Sequence, residues 1–145
     1  MKKIILITAA LFAFAIVKAQ TVTVNNHLTC AFHIIGTAEA SPVCTGLYYV
    51  TTPNYIAGGG SIVLDIANPF IWAGSAPPPG STWENVQVLD TCVLPLGGRC
   101  YTTVGDYCGA FTTNSYTQCC GGCAGATINV TWTRAPGGAV TVDIN

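Results

Sequence analysis

Lysine is missing from everything beyond residue 18. Lys2, Lys3 and Lys18 are the chain's lysines, and Arg99 and Arg134 its arginines. Past the first nineteen residues, two fixed cations therefore face six carboxylates: Glu39, Asp65, Glu84, Asp90, Asp106 and Asp143. Two against six gives a formal charge of −4 for residues 20–145, compared with −1 for the whole chain. A surface so short of positive charge has no patch with which to hold a phosphate backbone, so nucleic acid and anionic membrane are poor partners. Charged residues amount to only 8% of the chain and hydrophobic ones to 50%, which argues against the disordered class as well.

Other absences narrow the chemistry. The triple glycine Gly58-Gly59-Gly60 has neither the lysine nor the following helix of a phosphate-binding loop. One C-x-x-C occurs, Cys120-Gly-Gly-Cys123, and no second pair completes a zinc site; His27 and His33 stand at no ligand spacing. That C-x-x-C runs on into "AGATINV", a strand pattern, whereas a redox thiol needs the N-terminus of a helix to lower its pKa. Neither a metal nor a cofactor is expected. No apolar run reaches the roughly 20 residues of a membrane span.

The first twenty residues, "MKKIILITAALFAFAIVKAQ", have two lysines, an apolar run from Ile4 to Val17, and small residues before Gln20. This is the plan of a secretory signal peptide, residues 1–19, cleaved after Ala19. It predicts a secreted or cell-surface protein comprising residues 20–145, one domain long enough for a real core, with no transmembrane segment in the mature chain.

What is present is strand pattern. In "TVTVN" Val22 and Val24 alternate with Thr21 and Thr23. In "ATINVTWTR" Ile128, Val130 and Trp132 alternate with Thr127, Asn129, Thr131 and Thr133. In "AVTVDIN" Val140, Val142 and Ile144 alternate with Thr141 and Asp143. Period two with β-branched residues predicts half-buried antiparallel strands, the last two joined by a turn at Ala135-Pro136-Gly137-Gly138. "HLTCAFHIIG", "GLYYVTT", "SIVLDIA" and "WENVQVLD" are further strand candidates, separated by Gly/Pro turns including "GSAPPPGS" at 74–81. The expected fold is all-β, a single-domain antiparallel β-sandwich. From about 92 to 125 the alternation fades into an irregular, cysteine-rich region.

Eight cysteines lie beyond the leader: Cys30, Cys44, Cys92, Cys100, Cys108, Cys119, Cys120 and Cys123. An even number in an exported chain predicts a disulfide framework of four bridges. Six of the eight fall in the irregular region, where bridges would substitute for missing core. Cys119 and Cys120 are expected to take separate partners, because a bridge between adjacent residues is strained. The pattern differs from that of hydrophobins, whose eight cysteines include two Cys-Cys pairs, and from the helical plant lipid-transfer proteins.

For function, composition favours binding over catalysis. Trp72 and Trp83 flank the Pro-rich loop, and Tyr101, Tyr107 and Tyr116 decorate the cysteine-rich region. Exposed aromatic faces suit sugar rings or protein partners, because they bury area at little entropy cost. Trp132 belongs to the core pattern. The threonines of the terminal strands form a polar face whose ordinary role is that of good strand formers towards solvent. The expectation is a secreted binding or structural module for an extracellular glycan or protein, or one that self-associates at the cell surface, where little net charge opposes assembly. The alternative is a small secreted hydrolase using His27 and His33, which alternation along one strand would place on a shared face.

Overall fold

A computed structural model describes residues 21–40, 44, 46–92, 99–106 and 108–145. The signal peptide expected at 1–19 and the candidate residue Tyr107 lie outside the described residues.

Ten strands run in chain order: β1 (Thr21–Asn26), β2 (Phe32–Glu39), β3 (Tyr48–Val50), β4 (Asn54–Ile56), β5 (Ser61–Asp65), β6 (Thr82–Asp90), β7 (Tyr101–Gly105), β8 (Thr113–Thr117), β9 (Thr127–Arg134) and β10 (Val140–Ile144). No α-helix occurs among the described residues; a single turn of 3-10 helix spans Pro69–Ile71, capped by the Asn68 side chain, which accepts from Phe70 N. The strands form two five-stranded sheets. The first, sheet A, has the order β5-β1-β10-β9-β8; the second, sheet B, has the order β3-β2-β6-β7, with β4 also paired to β2.

The sandwich is the expected one, with one departure: every pairing is antiparallel except β1 with β10, which run parallel through the centre of sheet A. The two chain ends of the domain thus become neighbours. Strict alternation in the terminal strands carries Val22, Val24, Ile128, Val130, Trp132, Val140, Val142 and Ile144 to one face, where they meet Phe32, Ile34, Val86, Val88 and Val104 of sheet B. Each such side chain contributes about 1.5–3 kcal/mol on burial. At the middle of this layer Trp83 stacks on Trp72, with ring centroids 5.3 Å apart.

Residues 27–31 are not strand, although the apolar alternation of "HLTCAFHIIG" suggested it. They cross from sheet A to sheet B, and the buried side chain of Asn26 holds the crossing. Its Nδ2 donates to the carbonyls of Cys30 (2.7 Å) and Ala57 (2.9 Å), while its Oδ1 accepts from Leu28 N. An amide that satisfies three backbone groups outcompetes the ladder that these residues could have joined.

All eight cysteines are paired: Cys30–Cys123, Cys44–Cys108, Cys92–Cys120 and Cys100–Cys119. The adjacent Cys119 and Cys120 take separate partners, as expected. Two bridges close inside the 92–125 region and two tie it to the rest, closing loops of 93 and 64 residues. The region is less irregular than its sequence, for it supplies β7 and β8. β8, "TNSYT", contains no aliphatic residue, so hydrophobic alternation does not reveal it; it edges sheet A.

Candidate binding face on the second sheet

Residues directly opposite in neighbouring strands share a face. In sheet B, Tyr55 of β4 pairs with His33 of β2, His33 with Leu89 of β6, and Leu89 with Tyr101 of β7. Their flanking residues, Phe32, Ile34 and Val88, point into the core, so the four side chains form one row across the outer face. Four strands at about 4.8 Å spacing make this row about 14 Å long. Tyr55 is 61% exposed and Tyr101 57%, with His33 half-buried and Leu89 buried between them. The His33 ring meets Tyr55 edge-on, with centroids 6.0 Å apart. Ile35, Gln87 and Thr103 pair in the next outward row.

Arg99, just before β7, lays its guanidinium on this face, with Nη1 2.8 Å from His33 Nδ1. Arginine can only donate, so Nδ1 is the acceptor and the ring proton belongs on Nε2. Burial first, and the Arg99 charge second, hold the His33 pKa below its ordinary value, which keeps the ring neutral and accepting.

The other sequence candidates lie elsewhere. Trp72 and Trp83 are core residues, 5% and 1% exposed, so an incoming ring has no face of theirs to meet. Tyr116 is half-buried, and its hydroxyl donates to the buried Asp90 (2.8 Å); burial and that bond both raise its pKa. Of the tyrosines proposed from sequence, Tyr101 is the one placed on the exposed row. Tyr55 and Arg99 were not singled out by sequence reasoning: Tyr55 sits in a three-residue strand straight after Pro53, and Arg99 reaches the row only through the β6–β7 connection.

His27 and His33 do not share a strand. His27 follows β1 of sheet A and sets Nε2 3.0 Å from Asp143 Oδ1, while His33 is in sheet B. Asn25 Nδ2 also donates to Asp143 Oδ1, and Ser61 Oγ donates to Asn25 Oδ1 rather than to either histidine. The histidine bond, the largest cause, lowers the Asp143 pKa. Around this group the polar face of sheet A is in register, with Thr23 opposite Thr141 and Thr141 opposite Thr133.

Carboxylates and sulfurs come together at three places, Glu39 with Cys44 and Cys108, and Asp90 with each of two cysteine pairs. The sulfurs there are consumed in disulfides, which removes the thiolates that a soft metal ion would need. The carboxylates serve the backbone instead. Glu39 accepts from the amides of Cys44 and Gly46, and Asp90 from that of Cys119.

Comparison with protein-family models, with curated proteins and with solved structures finds no match to this chain.

Proposed function

We propose that the protein is an exported binding module that docks the rings of an extracellular glycan on the outer face of sheet B. The observation that carries the proposal is the in-register row Tyr55, His33, Leu89, Tyr101, with both tyrosines more than half exposed. The paired strands hold these rings at fixed spacing before any ligand arrives, so little side-chain entropy is lost on binding. Sugar rings present C–H faces that stack on aromatic rings, and hydroxyl edges that hydrogen-bond to polar neighbours such as Gln87, Thr103 and the tyrosine hydroxyls. Four bridges and a leader of signal-peptide plan support an oxidising, extracellular setting.

Screening the purified mature domain on a glycan array, then repeating it with Tyr55→Ala and Tyr101→Ala, tests this. Each truncation removes an aromatic contact worth about 0.5–1.5 kcal/mol, so each should weaken a positive glycan by about 2- to 12-fold, and the double variant by more. Wild-type affinity in both variants would refute the placement of the site. The hydrolase alternative is favoured by one observation, the His27–Asp143 pair. Ester or glycoside hydrolysis that disappears in His27→Ala, with Tyr55→Ala unaffected, would support it instead.

A further inference from the structure

We infer that the ligand of this face is an anionic glycan, a chain bearing carboxylate or sulfate groups, with Arg99 as the residue that selects its charge. This rests on the glycan-binding proposal and names its ligand class.

The two arginines of the mature chain have opposite fates. Arg134 is spent internally: its Nε and Nη2 fork onto Asp106 at 2.5 and 2.8 Å, and Nη2 also donates to the Trp83 carbonyl. Arg99 bonds to His33, a neutral acceptor, and to no carboxylate among the described residues; the ion pairs there are Arg134–Asp106 and His27–Asp143. One donor of five is used in that contact, which leaves a planar fork matched to a carboxylate or sulfate.

The chain is acidic overall, yet among the described residues none of its six side-chain carboxylates is paired with Arg99. Asp65 and Asp143 are on strands of sheet A. Asp106 is paired with Arg134. Asp90 follows Leu89 in β6 but is fully buried, its oxygens accepting from the Tyr116 hydroxyl and the Cys119 amide. Glu39 and Glu84 are buried; Glu39 ends β2, six residues and about 20 Å along the strand from His33. Arg99 is therefore the charged side chain that, among the described residues, bonds to the row, and no carboxylate is paired with it there. An aromatic row beside a guanidinium that is paired with no carboxylate binds a ring that carries an anionic substituent better than the same ring without one.

Titration calorimetry with three probes tests the inference: a galacturonate oligosaccharide, its methyl ester, which keeps the rings and removes the charge, and a sulfated galactan oligosaccharide. The acid form should bind about 10- to 100-fold more tightly than the ester, since a hydrogen bond to a charged group is worth more than a neutral one. Arg99→Gln should erase that difference while leaving ester affinity within a few-fold of wild type. Arg99→Lys, which keeps the charge and loses the fork, should fall between them. The sulfated probe then distinguishes a carboxylate from a sulfate preference. Equal binding of acid and ester by the wild type would overturn the charge inference and leave the ring-docking proposal standing. Absence of binding by all three probes, together with no hit on the neutral array, would overturn both.

Discussion

Gly36 lies in β2 under the largest ring of the core, and replacing it with alanine is a direct test of how tightly the two sheets are fitted. A Cβ at this position would lie 2.6 Å from Trp83 Cζ3, 3.3 Å from Trp83 Cη2 and 3.2 Å from Leu64 Cδ1. The first distance is too short for two carbons, so the Trp83 ring must move. It has little freedom, because it is 1% exposed and is stacked on Trp72. Overpacking of this kind costs about 1–3 kcal/mol. For a domain of this size each kcal/mol lowers the melting temperature by about 3–6 °C, so Gly36→Ala should melt about 3–18 °C below wild type. Thermal melts followed by near-ultraviolet circular dichroism read both the stability and the tryptophan environment. Trp83→Phe withdraws the atoms that clash, so Gly36→Ala should cost clearly less in that background, a coupling visible in a double-mutant cycle. An unchanged melting temperature with an unchanged tryptophan signal would refute the close-approach reasoning.

Two further outcomes follow from buried groups. Burial, and then the nearby Glu39 charge, raise the Glu84 pKa, and Glu84 Oε2 is buried without a hydrogen-bond partner among the described residues. The folded state thus holds this proton more tightly than the unfolded chain, so its favourable contribution is complete below the ordinary value of 4.5 and is lost as pH rises through the folded value. Glu84→Gln should therefore stabilise the protein by about 1 kcal/mol at pH 7, with the gain vanishing in melts below that ordinary value; a pH-independent effect would contradict this. Reduction of the bridges should selectively raise amide hydrogen exchange in β7 and β8, which hold little aliphatic core of their own, while β1, β9 and β10 stay protected. Uniform exchange, or none, would show that the bridges do not substitute for core there.

Much of the fold was legible because hydrophobic alternation is a local property. Val22 and Val24, the Ile128-Val130-Trp132 series and the Val140-Val142-Ile144 series all announce their buried face within a few residues, and the turn at 135–138 joins the last two strands as expected. The same signal misled at 27–31, where Asn26 satisfies carbonyls at Cys30 and Ala57 that no local pattern brings together. It was silent for β8, whose edge position asks for no aliphatic residue. Trp72 and Trp83, beside a Pro-rich loop, read as surface aromatics; their burial depends on each other and on the missing side chain of Gly36.

Composition and periodicity alone determined the all-β class, the scarcity of positive charge and the identity of the inward-facing residues in the terminal strands, because each depends on residue types or on neighbours along the chain. The parallel contact of β1 with β10, the partners of eight cysteines, the parting of His27 from His33 and the alignment of Tyr55, His33, Leu89 and Tyr101 were decided by tertiary structure. Each of these joins residues far apart in sequence, and their register is set by how two whole sheets pack rather than by any local preference. Arg99 marks the boundary: its charge is plain in the sequence, but that no carboxylate among the described residues pairs with it is known only once all six have been placed.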